Sequence, residues 1–179
     1  MTSIVLMRIS SLQLKHLLFT RVFVEPEVPF QEASSFKTGE FSFEGVTFHV
    51  NLNTAAVQGQ EDDPRDFMIE LNVGITNEKN VHAPYKIDIG VLGLFEISEK
   101  IEKDERVNIV TVNGSSLLYG AIREQVSTIT SRSYLGTMVL PTMDFRDHIQ
   151  GNQTIEEKAE KKPEKKAEKK AVEEKILNN

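Results

Sequence analysis

The sequence predicts an α+β fold: a four-stranded antiparallel sheet followed by a short helix, a crossover loop and a long covering helix. Four segments between residues 12 and 97 contain stretches in which apolar and polar residues alternate, as they do in half-buried strands. A turn-rich connection joins the last two segments as a hairpin. A stripe of apolar residues at helical spacing follows, and strands followed by a covering helix define the α+β class.

The first two strands show shifts in their alternation. Residues 12–26 form the first strand, which contains one such shift. In the second strand, residues 41–53, Phe41 and Phe43 are in phase with each other, and the phase changes after Gly45. A glycine at a change of phase suggests a β-bulge at that point.

The third and fourth strands are more regular. Residues 67–75 alternate strictly, so that one face of this strand is apolar and the other is polar. Residues 85–97 alternate as far as Gly90 and become apolar on both faces beyond it. A sheet that has a helix on one side then needs a second cover on the other side, and self-association supplies one.

A short helix and a break precede the long helix. Residues 98–110 favour a short helix capped by Ser98, with Ile97, Ile101 and Val107 facing inward. The sequence VTVNG, residues 110–114, then interrupts the helix and predicts a crossover loop.

The long helix is predicted over residues 114–132, a length of about 28 Å. Its apolar stripe comprises Leu117, Leu118, Ala121, Ile122, Gln125, Val126 and Ile129. The opposite face is polar, so this helix is expected to cover the sheet or to pack on another subunit. Four residues are assigned to that packing: Leu118, Ile122, Val126 and Ile129.

Three regions are expected along the chain. Residues 1–11 form an N-terminal extension with a brief apolar stretch, Ile4–Met7, which lacks the basic start and cleavage site of a signal peptide. Residues 12–150 form the folded domain, and residues 151–179 form a charged, low-complexity tail. The tail contains EKKPEKKAEKKA, which has no apolar face, and it is expected to be disordered.

Composition and charge argue against several classes of protein. The chain has no cysteine, which excludes disulfides and thiolate zinc sites and suits a reducing cytoplasm. No apolar run approaches the roughly 18 residues that a membrane-spanning helix needs. The formal net charge is −6, and the tail from residue 154 has eight Lys and seven Glu, so the body carries −7. An acidic body repels phosphate backbones, which argues against nucleic-acid binding.

Motifs for catalysis and metal binding are lacking. The four histidines are dispersed, and the acidic EDDPRD segment lacks the glycine and terminal glutamate of a calcium loop. The sequence contains neither a GK[ST] phosphate loop nor a G-x-S-x-G elbow. Asp144, Asp147 and His148 are near one another in sequence, but that spacing fixes no geometry for acid–base chemistry. We therefore expect no metal, no cofactor and no enzymatic activity.

Two segments carry a resemblance to a known family. The sequence SLLYGAIREQVSTITSRS, followed by MVLPTMDF, resembles the C-terminal part of the SecB export-chaperone family. The first strand, LKHLLFTRVFVEPEVP, is similar to the opening strand of that family, and the order of the predicted elements agrees. The resemblance covers residues 12–145, so residues 12–150 are interpreted as a SecB-like chaperone domain.

The resemblance implies an ATP-independent holdase in the cytoplasm. Such a chaperone binds unfolded precursor proteins and delivers them to the SecA motor of the Sec translocation machinery. The family further implies a homotetramer, built as a dimer of dimers, with neither a cofactor nor catalytic chemistry. Two alternatives stay open: a SecB-like chaperone that protects the antitoxin of a toxin–antitoxin system, and an oligomeric interaction module that binds no clients.

Apolar residues near the second strand and the crossover are the expected client-binding residues. They are Phe41, Phe43, Phe48, Val110 and Val112. An exposed groove lined by such side chains suits the aromatic and aliphatic side chains of an unfolded client. The alternative is that each of them lies in the core or in an oligomer interface.

The resemblance also places two acidic residues on the face that docks SecA. Glu25 and Glu78 match acidic positions of the family's docking face. The acid of the first strand that usually accompanies them falls near Arg21 or Val22 in this sequence. Weak SecA binding is therefore expected.

Overall fold

Four antiparallel strands form one sheet in the computed structural model, which describes residues 8–27, 41, 43, 46–60, 62–76 and 83–148. In chain order the strands are β1 (Leu12–Pro26), β2 (Thr47–Ala56), β3 (Asp66–Thr76) and β4 (Tyr85–Ile97). Their order across the sheet is β1-β4-β3-β2, so β1 and β2 are the two edges. The fold class and the predicted β3–β4 hairpin are confirmed.

The two faces of the sheet differ in burial. The odd-numbered residues of β3 and β4 are all buried, whereas the even-numbered ones, except Gly90, are half-buried or exposed. We call the face that carries the odd-numbered residues and their cross-strand partners the covered face, and the opposite one the open face. Leu118 reaches the covered face at Gly93, where an added Cβ would lie 2.7 Å from its Cδ2 atom.

Two register shifts decide which residues of β1 lie on the covered face: Leu12 and Leu14, then Leu17 and Phe19, then Val22 and Val24. The shifts lie between Leu14 and His16 and between Phe19 and Arg21, so β1 contains two irregularities of the β-bulge type. The predicted shift of phase in this strand is therefore confirmed. The bulge suggested at Gly45 lies outside the described residues, and β2 begins at Thr47 instead of residue 41.

The helical region is continuous and contains no crossover loop. Helix α1 (Lys103–Ile109) leads into a π-helical segment, Val110–Gly114, which we call the π turn, and then into α2 (Ser115–Thr130). The predicted break at VTVNG is wrong because the backbone stays helical through it. Two features of this stretch are responsible: Val110 is fully buried, and Gly114 has no Cβ to collide with Ile69 and Phe95.

The short helix differs from its prediction in boundary and orientation. It begins at Lys103, and the predicted cap Ser98 instead accepts a turn hydrogen bond from the amide of Ile101 at 3.1 Å. Val107 is exposed, and the buried side chain of this helix is Arg106. Periodicity predicted that Val107 faces inward. The hydrogen bonds of Arg106 instead determine which side of α1 faces the protein.

Helix α2 buries a stripe that overlaps the predicted one. Its buried residues are Ser115, Leu118, Tyr119, Ile122, Val126 and Thr130. Leu118, Ile122 and Val126 thus pack on the sheet, whereas Ile129 is 37% exposed and Leu117 is 49% exposed. The predicted stripe was too wide on the side of the helix that carries Leu117.

The chain divides into two units, Met1–Met143 and Asp144–Asn179. In the second unit, the described residues end at His148. There the guanidinium of Arg146 donates a hydrogen bond to Asp144 at 3.0 Å, which lowers the pKa of Asp144 to about 2. The predicted boundary after residue 150 and the disorder of the tail remain predictions. In the described part of the chain, no helix has the length and hydropathy needed to cross a membrane.

Candidate functional site

Strand β2 presents apolar side chains that are only partly buried. Phe48, Val50 and Leu52 lie on the covered face, where they are paired with fully buried residues of β3. Helix α2 packs against β1, β3 and β4, which are the three strands farther from this edge. Among the residues that the structure describes, the covered face is therefore only partly covered along β2.

Three phenylalanines form a row beside this edge, which we call the aromatic row: Phe41, Phe43 and Phe48. The ring centroids of Phe41 and Phe43 are 4.8 Å apart at an interplanar angle of 83°, and those of Phe43 and Phe48 are 5.6 Å apart. Edge-to-face contacts of this kind stabilise aromatic pairs. Each of the three side chains is half-buried, so the row is held in place but keeps accessible ring surface.

The π turn lies next to the same strand. The hydroxyl groups of Thr111 and Thr54 are hydrogen-bonded at 3.2 Å, which ties the turn to β2. Of the two valines predicted to contact clients, Val112 is half-buried and Val110 is fully buried. Val110 therefore belongs to the core of the described chain, and it is not part of an accessible surface.

A buried arginine fixes the position of α1 and hence of the π turn. Arg106 donates hydrogen bonds to the carbonyls of Ile101 at 2.8 Å and Pro64 at 3.0 Å and to the carboxylate of Asp63 at 2.8 Å. The hydrogen bond from Arg106 lowers the pKa of Asp63. These bonds join the β2–β3 loop to the helix. Sequence analysis missed this cluster because nothing local distinguishes Arg106 from its exposed neighbours.

A second accessible apolar surface lies at the β1 edge. On the covered face of β1, Leu14, Phe19 and Val22 are exposed by 38%, 36% and 42%. Leu117 and Ile129 of α2 are exposed as well. Leu118, Ile122 and Val126 are used against the sheet, so these five are the exposed large apolar residues that α2 and the covered face of β1 present among the described residues.

Tyr85 and Tyr119 each form a hydrogen bond with the backbone of the segment that follows α2. The hydroxyl of Tyr119 donates to the carbonyl of Pro141 at 2.8 Å, and burial raises the pKa of Tyr119 to about 12. The hydroxyl of Tyr85 donates to the carbonyl of Gly136 at 2.6 Å, and burial raises its pKa too. Both phenols stay protonated near neutral pH and act as structural donors.

The predicted docking acids are only partly described. Glu25 is exposed near the C-terminal end of β1, on the open face opposite Lys86, and Glu78 lies outside the described residues. On the same face Arg21 forms an ion pair with Asp88 at 2.7 Å. Of the two residues near which the resemblance predicts an acid, Arg21 lies on the open face and Val22 lies on the covered face.

The chain matches the family model described as preprotein translocase subunit SecB over residues 28–155. The protein-export protein SecB of Alcanivorax borkumensis is 28% identical over 113 residues, which are 58% of this chain and 70% of the relative. An uncharacterized protein of Methanocaldococcus jannaschii is 22% identical over 117 residues, which are 64% of this chain and 74% of the relative.

Two solved structures have similar backbones at low identity. One is a SecB-like chaperone of Mycobacterium tuberculosis, solved in complex with a peptide of an antitoxin. It has a TM-score of 0.47 and 15% identity, and the match covers 75% of this chain and 91% of that one. The other is a protein of unknown function from Streptococcus agalactiae, with a TM-score of 0.38, 11% identity and coverage of 73% and 96%.

Proposed function

The chain belongs to the SecB family, and on that premise we propose that it is an ATP-independent holdase that binds unfolded polypeptides along the β2 edge. Family membership supports a chaperone role, and no catalytic step is proposed. The observation that carries the proposal is the aromatic row, three phenylalanines that keep accessible ring surface beside an incompletely covered strand. Accessible apolar surface of this kind marks binding sites on soluble proteins.

The proposed contact surface comprises the aromatic row and Val112. Aromatic side chains supply large contact area at a low cost in conformational entropy, which suits clients of varied sequence. In the described part of the chain, no strand pairs with the outer side of β2 from Phe48 to Ala56, and an extended client that adds a strand there is a further source of affinity. Since the body of the chain carries −7, clients with basic residues are favoured over acidic ones.

Suppression of aggregation tests this proposal. The full chain is added to a chemically denatured test protein on dilution, and light scattering is followed with and without the double substitution Phe43→Ser and Phe48→Ser. We expect the wild type to suppress aggregation and the variant to lose most of that effect. Val57→Ser, at an exposed residue just after β2, is the matched control and should behave as the wild type. An inactive wild type would support the alternative of an interaction module that binds no clients.

We further propose that the chain assembles into a homo-oligomer, a tetramer built as a dimer of dimers, through the β1 edge and the exposed side of α2. The proposal is supported by three exposed apolar residues on the covered face of the β1 edge, Leu14, Phe19 and Val22, because an exposed apolar edge strand is prone to pair with another chain. Leu117 and Ile129 of α2 are exposed as well. The mass of the full chain in solution, measured by multi-angle light scattering, tests the proposal. A mass of four chains agrees with it, and a mass of one chain contradicts it.

Delivery to the Sec machinery from the cytoplasm is the finer part of the proposal, and we expect SecA to bind weakly. Glu25 is available, but Arg21 adds a positive charge to the same face and engages Asp88. This observation favours, as a second candidate, a chaperone that protects an antitoxin without engaging SecA. Titration of SecA against the wild type and Arg21→Glu separates the two. Weak binding that Arg21→Glu strengthens agrees with delivery, and no binding by either form supports the second candidate.

A further inference from the structure

The hydrogen bonds beside β2 show which of its backbone groups face outward. The amide of Val57 donates to the carbonyl of Asp66 at 2.9 Å, one position beyond the pair of Ala56 and Phe67. Hydrogen-bonded pairs recur at every second position of an antiparallel ladder, so the odd-numbered residues of β2 direct their N–H and C=O groups at β3. The even-numbered residues direct theirs away from β3: Phe48, Val50, Leu52, Thr54 and Ala56.

The neighbouring ladder agrees with this assignment. The amide of Ile97 donates to the carbonyl of Arg65 at 2.9 Å, so the odd-numbered residues of β3 direct their backbone groups at β4 and the even-numbered ones direct theirs at β2. Those even-numbered residues are in register with the odd-numbered residues of β2, as the first ladder requires. In β2 the outward backbone groups and the side chains of the covered face therefore belong to the same residues.

The two faces of β2 differ in polarity along this edge. On the covered face, the side chains from Phe48 to Leu52 are apolar and half-buried. On the open face, the intervening side chains are polar and exposed: His49, Asn51 and Asn53. The charged residues that β2 and β3 place on the open face are Asp66 and Glu70, which are both acidic. A strand added beside β2 would thus have apolar neighbours on one face and polar, negatively charged surroundings on the other.

This arrangement selects a pattern in the added strand. A client residue directly opposite Phe48, Val50 or Leu52 has its side chain on the covered face, whichever way the client runs. Alternate client residues therefore meet apolar side chains, and the aromatic row extends this surface beyond Phe48. The client residues between them lie beside the polar side chains of the open face. An apolar side chain gains little there, and an acidic one is repelled by Asp66 and Glu70.

We propose that the client segment adds to β2 as a strand of about nine residues, with apolar residues at every second position and basic or neutral polar residues between them. The inference rests on the proposed holdase function and narrows its substrate class. Segments with the pattern of a β-strand are bound more tightly than segments of the same composition whose apolar residues are contiguous. The length follows from the edge itself, which extends about 26 Å from Phe48 to Ala56.

Binding of fluorescent peptides to the full chain tests the pattern. The probe contains VKFKVKF between short Gly-Ser flanks, the matched control has the same composition in the order VFVFKKK, and a third peptide contains VEFEVEF. Dissociation constants are measured by fluorescence anisotropy. We expect the probe to bind about tenfold more tightly than either of the others. A contiguous control that binds as tightly as the probe would overturn strand addition, and a glutamate peptide that does so would overturn the preference for basic residues.

N-methylation of the peptide backbone distinguishes an added strand from an apolar peptide without a fixed register. One version of the probe is methylated at the amides of its apolar residues, and the other at the amides of its lysines. Alternate amides of a strand face opposite ways, so only one version loses hydrogen bonds to β2. We expect about tenfold weaker binding for that version alone. Equal effects of the two methylation patterns contradict the inference.

A proline in β2 tests the same edge from the side of the protein. The N–H of Val50 faces away from β3, so Val50→Pro removes no hydrogen bond of the β2–β3 ladder but blocks the outer side of the strand. The control Val50→Ala shortens the same side chain and keeps the N–H. Circular dichroism checks that both variants are folded. We expect Val50→Pro to bind the probe at least about fivefold more weakly than Val50→Ala, and equal binding by the two folded variants would contradict an added strand.

Failure of this inference can be distinguished from failure of the holdase proposal by running the aggregation assay beside the peptide titrations. If peptides bind without regard to pattern, while the wild type suppresses aggregation and the variant Phe43→Ser with Phe48→Ser does not, the holdase function stands and strand addition is wrong. If the wild type neither suppresses aggregation nor binds any of the peptides, the holdase proposal itself fails.

Discussion

The two edge strands expose apolar residues on the same face of the sheet, but with different chemistry and different neighbours. The β1 edge exposes the aliphatic Leu14 and Val22 with Phe19, next to the exposed side of α2. The β2 edge carries the aromatic row and borders the π turn. The central strands between them bury almost all their residues on that face.

The widths of helix and sheet explain the difference between edge and centre. A helix with its side chains is about 10–12 Å wide. Four strands at about 4.8 Å spacing extend about 14 Å between the axes of their outer members, and further with their side chains. One helix therefore covers the middle of the sheet and leaves both edges partly open. We propose the β1 edge for self-association and the β2 edge for unfolded clients. The substitutions below test the packing that leaves these edges open and the two assignments themselves.

The largest effect is expected from a charge placed between α2 and the sheet. Ile122→Asp puts a carboxylate at a fully buried position and removes an apolar side chain, so we expect a loss of about 4 kcal/mol or more in the free energy of unfolding. Thermal unfolding followed by circular dichroism measures the change. The control Thr128→Asp, on the exposed side of α2, should stay within about 0.5 kcal/mol of the wild type. Normal melting of Ile122→Asp would contradict the packing of α2.

The helical region offers two glycines with opposite expectations, Gly114 in the π turn and Gly120 in α2. In Gly114→Ala the new Cβ collides with Ile69 and lies 3.3 Å from Phe95, so we expect destabilisation of about 1–3 kcal/mol. In Gly120→Ala the Cβ meets no atom within 4 Å, and the higher helix propensity of alanine should stabilise the protein by up to about 1 kcal/mol. Chemical denaturation measures both values. Equal effects of the two substitutions would show that the π turn does not approach the sheet so closely.

The smallest effect concerns the loop that Arg106 holds. Its hydrogen bond keeps the pKa of Asp63 below the ordinary value of 3.8, so the pair stabilises the folded protein above about pH 4 and loses this contribution as the pH falls through the lowered value. We expect Asp63→Asn to melt about 2 °C below the wild type at pH 7, and this difference to shrink as the pH falls below the ordinary value of 3.8. Asp62→Asn, in the same loop, serves as the control. A difference that persists unchanged at pH 3 would argue against the ion pair as its cause.

Local patterns predicted the strands and the packing of α2 well. The strict alternation of β3 needs no knowledge of distant residues, and burial follows it directly. Leu118, Ile122 and Val126 were identified by helical spacing for the same reason. Ile129 is in phase with Ile122 and Val126, yet it is 37% exposed near the C-terminal end of α2. Its exposure could not be predicted, because periodicity does not give the length of the surface beneath a helix.

Features that depend on contacts between distant residues could not be predicted from the sequence. VTVNG has the composition of a break, and only contacts of Gly114 with Ile69 and of Thr111 with Thr54 explain why it remains helical. Arg106 is buried by partners more than 40 residues away, which no local pattern reveals. The pairing of β1 with β4, which creates the two edges, is likewise a long-range property.

The most direct test compares both edges in one experiment. One variant changes the β1 edge (Leu14→Lys and Val22→Lys), the other changes the aromatic row (Phe43→Ser and Phe48→Ser), and solution mass and suppression of aggregation are measured for each. The account predicts that the β1 variant falls to a smaller assembly, whereas the aromatic variant keeps the wild-type mass and loses most of its holdase activity. An aromatic variant that suppresses aggregation as well as the wild type, at unchanged mass, would contradict the assignment of the β2 edge to clients.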